Sequence, residues 1–565
     1  MKKIHLLFLT VLNTAVGFTQ TEKDSIQTEI IHVVTSFNPH ISEAYKIKDK
    51  PAIPSATFLK KNVSYQIAPS PINSAFEPNM GSYKSVKLPP KTNWFPNYIK
   101  AGYGSYGTPM VEGFATHKKR EHHYQYQLFN RSSEGGIQGI ALDNNSLKTA
   151  IGFAYKNTEQ NFDWEATANY QKNLQNWYGS AVNLNPSVRT DLEEKQVYNQ
   201  FSIGGQLHFQ KKQLKKISAD LQTFSDKFDS KEAEFNAAAY FEFPLLKNTL
   251  QSQFQLNFLN GEFKKEYEKD SAINYGFFGI NAQASVPIQK DNFYLSIGAK
   301  INYISDLEHQ QNKIHFYPDL RIDFAVLEEV LSAYAGITGG LQQNSYRELA
   351  AKNPFVSPTL TIKPSDNSSS FFTGIKGNIS ADMHYDLKAV FRQENDKALF
   401  RQNKSLTDGT DTLENGYEAG NSFYVIYDQM RTFGLEGSIA ATLSEKWVSG
   451  ASFSFRSYTL DKEEKAWNLP AFESKLHATY KHNKWSGSSQ VSIVGIRNDY
   501  DLLSDTNITL KAYADLNANV NYTFDTKWTA FVEINNLLNN NYERFANFNV
   551  QGFQLLAGVI YKFDL

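Results

Sequence analysis

The sequence predicts an all-β transmembrane antiparallel barrel of about 22 strands, preceded by a proline-rich irregular segment. Three observations predict it. Apolar and polar residues alternate with period two through most of the chain after position 97. The connections between these runs are short and long by turns, as when strands share a tight periplasmic rim and a looser extracellular one. And although 41 % of the residues are hydrophobic, with 41 Phe and 31 Tyr, no run of eighteen or more apolar residues follows the first twenty positions, which excludes a bundle of membrane helices. A membrane barrel leaves no such run, because lipid-facing and lumen-facing residues average out in any hydropathy window.

The composition removes several function classes. With 57 basic and 58 acidic residues and a net charge of −1, there is no basic surplus for nucleic acid. There are no cysteines, so disulfides, thiolate metal sites, catalytic thiols and an N-terminal lipidated cysteine are all excluded.

Residues 1–20 read as a signal peptide. Lys2 and Lys3 give the charged start, Leu6, Leu7, Phe8, Leu9, Val11 and Leu12 the short apolar stretch, and Ala15, Gly17 and Thr19 the small residues of a cleavage site. Residues 21–96 hold Pro39, Pro51, Pro54, Pro69, Pro71, Pro78, Pro89, Pro90 and Pro96, half of the chain's 18 prolines. Proline removes a ladder donor and blocks helix interiors, so this extension is expected to be extended and irregular, either periplasmic or lumenal. Val33, Val34, Phe37, Tyr45, Ile47, Phe58 and Phe76 give it apolar side chains to lay on a surface without a core of its own.

Residues 97–565 are the barrel. In 293–303, Phe293, Leu295, Ile297, Ala299, Ile301 and Tyr303 share one face, and Tyr294, Ser296, Gly298, Lys300 and Asn302 the other. The same alternation runs through 516–524, 528–534 and 553–565. Strand starts fall near 97, 108, 122, 148, 162, 197, 215, 232, 248, 274, 292, 313, 330, 368, 386, 420, 447, 467, 485, 507, 528 and 553. An even count returns both barrel termini to the short-turn side. Closure follows from edges: an open sheet of this length would present two unpaired rims.

No motif carries chemistry. His122 and His123 are adjacent in a strand, so they point to opposite faces and are poor co-ligands for a metal. Lys118, Lys119 and Arg120 beside them form a basic periplasmic turn. Asp191, Glu193, Glu194, Asp408, Asp411 and Glu414 are oxygen donors of the kind calcium takes, but no EF-hand or nonapeptide repeat orders them and they read as solvated loops. There is no phosphate loop, nucleophile elbow or framed carboxylate pair, so the expectation is a non-enzyme without a cofactor. Trp164, Trp177, Trp447, Trp485 and Trp528 lie near strand ends, where an interfacial girdle places them.

Two C-terminal stretches carry a resemblance. Ile534-Asn535-Asn536-Leu537-Leu538-Asn539-Asn540-Asn541-Tyr542-Glu543-Arg544-Phe545 resembles the penultimate-strand motif of TonB-dependent receptors, and Gly558-Val559-Ile560-Tyr561-Lys562-Phe563 resembles their closing strand. The style of the C-terminal half is similar to receptors of the Bacteroidota. The resemblance implies a Gram-negative outer-membrane location, contact with outer-membrane lipid, and barrel-assembly machinery reading the last strand during biogenesis. Unlike the family's closing strand, this chain continues to Asp564 and Leu565. About 75 residues separate the signal from the first strand, fewer than the family's folded plug occupies, so the resemblance is to a receptor barrel without its plug and does not bring TonB-powered import with it. Glu29, Ile30, Ile31, Val33, Val34 and Thr35 resemble a TonB box, the extended segment that pairs with TonB by strand addition; an edge strand or a lumen-packing segment has the same composition. Two functions follow as expectations: transport or uptake across the outer membrane, with 21–96 partly filling the lumen, or a scaffold or accessory role in a larger outer-membrane complex, with 21–96 engaging TonB or another periplasmic or outer-membrane protein.

Overall fold

The structure, a computed structural model, describes residues 95–502 and 505–564. The signal, the TonB-box-like segment 29–35 and the extension up to 94 lie outside the described residues.

The described chain forms one 22-stranded antiparallel sheet, running from Asn97–Gly104 to Gln554–Phe563. Each strand pairs with the next in the barrel, and the first pairs with the last, from Asn97↔Phe563 to Gly104↔Leu556. That final ladder closes the ring, and closure is what lipid demands: with no water in the hydrocarbon core, every backbone N–H and C=O must find a partner within the sheet.

The expected strands are found, with boundaries that differ most where loops carry extra structure. The strand expected near 467 begins at Phe472 and the one near 507 begins at Tyr513. The second difference has a physical cause: Arg497–Asp501 and Thr506–Leu510 pair as a separate hairpin within the loop, and their alternation imitates a membrane strand.

The two rims differ as the sequence requires. Connections on one side are short turns such as 120–121, 246–247, 291–292, 381–382 and 483–484. The other side carries the long links 134–145, 177–194, 343–364, 403–422, 461–471, 495–512 and 536–553. Along the strands the outer face is apolar and water-free only in lipid: Ile297 is 48 % exposed in the isolated chain, and Phe254, Leu256 and Phe258 share a like band two strands away.

Near the short-turn rim tryptophan meets tyrosine across strand pairs. Trp447–Tyr480, Trp485–Tyr522 and Trp528–Tyr561 each have ring centroids 4.7 Å apart, and Trp164–Tyr155 are 4.8 Å apart. These four form the periplasmic aromatic girdle. Trp177 does not join it: only 1 % exposed, it is buried among the loops of the opposite rim.

At the closing seam Gly102 faces Gly558. A Cβ at Gly558 would collide with the carbonyl of Ala101 and the ring of Phe531. Phe531 packs there with Met110, Leu556 and Ile560 on the lumenal side, and Lys100 lies 4.4 Å from its ring centre while pairing with Glu533. Gly558→Val is therefore expected to cost about 3 kcal/mol by overpacking the seam and to reduce sharply the heat-modifiable, folded fraction on a gel. Val559→Leu, on the lipid face one residue away, is expected to fold normally. Equal folded yields for the two variants would show that close approach at the seam does not matter.

Candidate functional site

A ring of 22 strands spaced about 4.8 Å apart and tilted about 40° is on the order of 40 Å across. So wide a mouth would stand open unless something crossed it, and the long loops cross it. The loop 177–194 follows the fifth strand and the loop 403–422 the fifteenth, nearly opposite in the ring. They nevertheless touch: the rings of Trp177 and Tyr417 are 5.4 Å apart, Asn421 Nδ2 donates to the carbonyl of Trp177 at 2.7 Å, and the Asn185 N–H donates to the carbonyl of Gly409 at 2.9 Å.

Loops 343–364 and 536–553 complete this cap. Phe355 stacks on Phe548 with centroids 3.8 Å apart, Tyr178 packs on Phe548 at 5.0 Å, and Trp177 Nε1 donates to the Phe355 carbonyl at 3.1 Å. Leu349, Val356, Leu360 and Phe423 are buried in the same cluster. The loops thus hold a hydrophobic core separate from the membrane wall. The burial of so many aromatic rings supplies its stability, at about 25 cal/mol per Å² of apolar surface.

One short helix, Tyr346–Lys352, anchors the cap to the wall. Ser345 caps it, accepting the Glu348 N–H at 3.2 Å. The carboxylate of Glu232, on the eighth strand, takes the Tyr346 N–H (2.5 Å), the Arg347 N–H (3.1 Å) and the Tyr275 hydroxyl (2.8 Å). Tyr346 in turn donates its hydroxyl to Asp226 at 2.7 Å, and Asp226 also accepts the N–H groups of Phe228 and Ser230. The four N–H groups that a helix start leaves unpaired are the reason for a carboxylate here.

Below the cap the lumenal face is polar, and many of its charges are paired. Asp323 bridges Arg321 (2.6 Å) and Lys376 (2.7 Å); Glu436 bridges Lys388 (3.3 Å) and Arg456 (3.5 Å); Lys300 meets Asp319 at 3.4 Å. Arg321, Asp323 and Lys376, with Tyr294 and Ser332, line a cleft of about 370 Å³ near the periplasmic rim. Balanced pairs of this kind suit a water-filled lumen rather than a channel selective for one sign of charge.

The residues weighed in the sequence are scattered. His122 Nδ1 bonds the Tyr155 hydroxyl while His123 Nε2 bonds Thr116 Oγ1, on opposite faces of the strand. Glu193 pairs with Lys227 and Glu414 with Lys265, and Asp408 folds back on the N–H and hydroxyl of Thr410. Among the described residues no group of three or more carboxylates and histidines could hold a metal. Sequence reasoning missed Glu232, Asp226 and Tyr346 entirely. One signal was available: Ser345-Tyr346-Arg347-Glu348 has the spacing of a capping box.

The asparagine-rich stretch after Ile534 is a staple. Asn536 and Asn539 adopt positive φ, 47° and 52°, which asparagine tolerates better than most residues. The Asn536 side chain donates to the carbonyls of Asn540 (2.8 Å) and Gln551 (3.0 Å) and accepts the Asn540 N–H (2.9 Å). The chain thereby leaves the wall and enters the last loop in a fixed direction.

Two outcomes follow. Glu232→Ala removes the acceptor of the buried Tyr346 N–H and Tyr275 hydroxyl and of the half-buried Arg347 N–H, which is expected to loosen the cap by about 3 kcal/mol and to speed tryptic cleavage at Arg347 or Lys352 roughly 100-fold, since cleavage tracks the open population; unchanged cleavage would detach Glu232 from cap stability. Asp499, in the loop hairpin, is fully buried, and burial pushes its carboxyl up to about 6 despite donors from Asn468 and the Tyr500 N–H. A raised carboxyl binds its proton more tightly in the folded loop. The stability it confers is therefore present near pH 4 and lost as pH rises through about 6, a change of about 3 kcal/mol. Hydrogen exchange in 495–512, corrected for intrinsic rates, should rise over that window in the native chain and lose this dependence in Asp499→Asn.

Comparisons with known proteins agree with this architecture. A family model described as "TonB dependent receptor-like, beta-barrel" matches residues 100–537. No curated protein matches the chain. Among solved structures, the FrpB iron transporter from Neisseria meningitidis is similar with a TM-score of 0.63 at 10 % identity, over 83 % of this chain and 82 % of its own. The pyoverdine outer membrane receptor FpvA from Pseudomonas aeruginosa is similar with a TM-score of 0.61 at 12 % identity, over 83 % and 78 %. The copper transporter OprC gives 0.60 at 13 % identity, over 83 % and 80 %. At such identities the likeness is one of fold. The barrel and its family together indicate the outer membrane of a Gram-negative cell. With three quarters of its length matched and its 22 strands closed on themselves, the chain belongs to the TonB-dependent receptor-like β-barrel family.

Proposed function

We propose that the protein takes up a solute across the outer membrane through a barrel shut at both ends. The observation that carries this reading is the cap: loops rooted on opposite sides of the ring meet over a polar, charge-lined lumen. A structure that only anchored partners would need neither a wide ring nor a lid across it. Family membership points the same way, since the similar structures are described as transporters and receptors.

In this reading residues 21–96 close the periplasmic side and stand in for the folded plug of other members, in a receptor of the Bacteroidota kind. Glu29 to Thr35 is the segment that TonB, or another periplasmic protein, would extend by strand addition to withdraw that closure.

The experiment is conductance in planar bilayers of four forms: the mature chain, a chain lacking residues 21–96, a chain with 343–364 replaced by a short linker, and the double variant. Folded barrel content is confirmed for each by heat-modifiable migration. The mature chain is expected to be silent and the double variant to conduct stably, with each single change leaving one closure in place. Equal conductance from all four forms would contradict the two-closure reading and leave the scaffold role as the account of the barrel.

A further inference from the structure

Two loops bring together a pair of arginines, neither of which makes a direct ion pair among the described residues. Arg497 opens the hairpin strand Arg497–Asp501 in the loop 495–512 and is only 2 % exposed. Arg544 sits in the short strand Glu543–Phe545 of the loop 536–553. The guanidinium of Arg497 donates to two main-chain carbonyls, that of Glu543 at 2.6 Å and that of Arg544, and its buried Nε has no hydrogen-bond partner. Carbonyls satisfy donors but carry no full charge. Neither arginine forms an ion pair among the described residues, whereas the lumenal arginines Arg321 and Arg456 both do.

Asp499 and Glu543 attract Arg497 through space, but the acids nearby hydrogen-bond other groups. Glu543 Oε1 takes the Asn547 N–H at 3.1 Å, Asp499 holds Asn468 at 3.0 Å, and Asp515 Oδ2 holds Asn517 at 3.0 Å with the Tyr542 hydroxyl at 3.5 Å. What surrounds the arginines is aromatic. Tyr513 and Tyr542 stack with centroids 3.7 Å apart and planes 4° from parallel. Arg497 lies 5.5 Å from the Tyr513 ring centre, and Tyr178 is close enough to Arg544 to interact with its charge.

The cluster faces inward. In the strand Tyr513–Thr523, Val520 faces lipid, so Tyr513 and Asp515 face the lumen. Arg544 keeps part of its surface exposed while sitting among Tyr178, Tyr513, Tyr542 and Arg497. Burial pulls both guanidiniums down from the ordinary arginine value, and the charge of Arg497 adds repulsion at Arg544. Asp499 and Glu543 offset part of the charge of Arg497, but the groups acting on Arg544 are tyrosines and Arg497, and an enclosed cation without a carboxylate beside it is costly to keep. That cost is relieved if the counter-charge arrives as a ligand.

We propose that Arg544 and Arg497, with Tyr178, Tyr513 and Tyr542, form a binding site beneath the cap for an anionic solute bearing carboxylate or phosphate oxygens. The inference rests on the passage reading for the route by which the solute arrives. Arg544 is the recognising group, since its planar fork is unoccupied and matches a two-oxygen anion. Arg497 fixes the loop and adds field. The Tyr513 ring lies 5.5 Å from the Arg497 guanidinium and the Phe545 ring 6.0 Å from that of Arg544, so aromatic faces steady both cations.

The test is calorimetric titration of the full mature protein in detergent with inorganic phosphate, citrate and, as a neutral control, glucose. Binding of phosphate or citrate that weakens with added salt, and none of glucose, is expected; phosphate alone would assign a phosphate ester and citrate alone a carboxylate. Arg544→Gln is expected to weaken binding at least tenfold, with Arg544→Lys between it and the native chain. Without ligand, Arg544→Gln should unfold no earlier than the native chain, because it removes an uncompensated charge. The proposal is overturned if the native chain binds neither anion, if Arg544→Gln binds as well as the native chain, or if that variant is destabilised without ligand, which would make Arg544 structural. Loss of binding with the conductance pattern intact would remove the site alone. Intact binding in a barrel that never conducts would leave the site standing and remove passage.

Discussion

The ladder between the first and last strands is the interaction on which everything else depends. Without Asn97–Gly104 pairing to Gln554–Phe563, two rows of backbone donors and acceptors would face hydrocarbon, and no arrangement of side chains could offset that. Closure sets the strand number even, sends both ends to the same rim, and fixes which residues of each strand see lipid. It also fixes the diameter. A ring this wide cannot fill its lumen with its own inward side chains, so the protein must close it with segments that are not strands of the wall.

The cap answers that need on the extracellular side, and it is built differently from the wall. The wall is specified by alternation and backbone pairing. The cap is specified by a buried aromatic core, by carboxylates placed to receive N–H groups, and by asparagine side chains that do the work of a backbone. Glu232 is the joint between the two systems, a wall residue whose carboxylate grips the start of the loop helix. The arginine pair differs from Arg321 and Arg456 of the wall, which form direct ion pairs, whereas Arg497 and Arg544 form none among the described residues. Natural sequences break such local rules most often where something binds.

Much of the wall was legible. Strand positions followed from Phe293, Leu295, Ile297 and their equivalents, because a period of two with one lipid face admits a single register. The short turns betrayed themselves by polar residues between such runs. Trp447, Trp485 and Trp528 were placed at the interface by their position just after those turns, and they stand there. Trp177 obeyed the same rule in sequence and broke it in space, since the rule cannot separate a strand end at the interface from a strand end beneath a folded loop. The second half of the hairpin within 495–512 was absorbed into the membrane strand expected from 507 for a similar reason: short alternation looks alike in water and in lipid. The cap was almost wholly illegible. Its contacts join residues as distant as Trp177 and Tyr417, and no local period encodes a meeting across the width of the ring. The arginine pair was equally hidden, because whether a charge is neutralised depends on neighbours that sequence spacing does not name.

The claim at the centre of this account is that the loops form a lid shutting the extracellular mouth over an open lumen. The chain contains no cysteine, so single cysteines can report on it directly. In intact cells expressing Gln255→Cys, on the lumenal face of the wall, or Lys269→Cys, on an exposed loop, the rate of labelling by a membrane-impermeant maleimide would be measured. The account predicts rapid labelling at 269, protection at 255, and loss of that protection when 343–364 is replaced by a short linker. Equally fast labelling of both positions in the otherwise native chain would mean that the mouth stands open, and would contradict it.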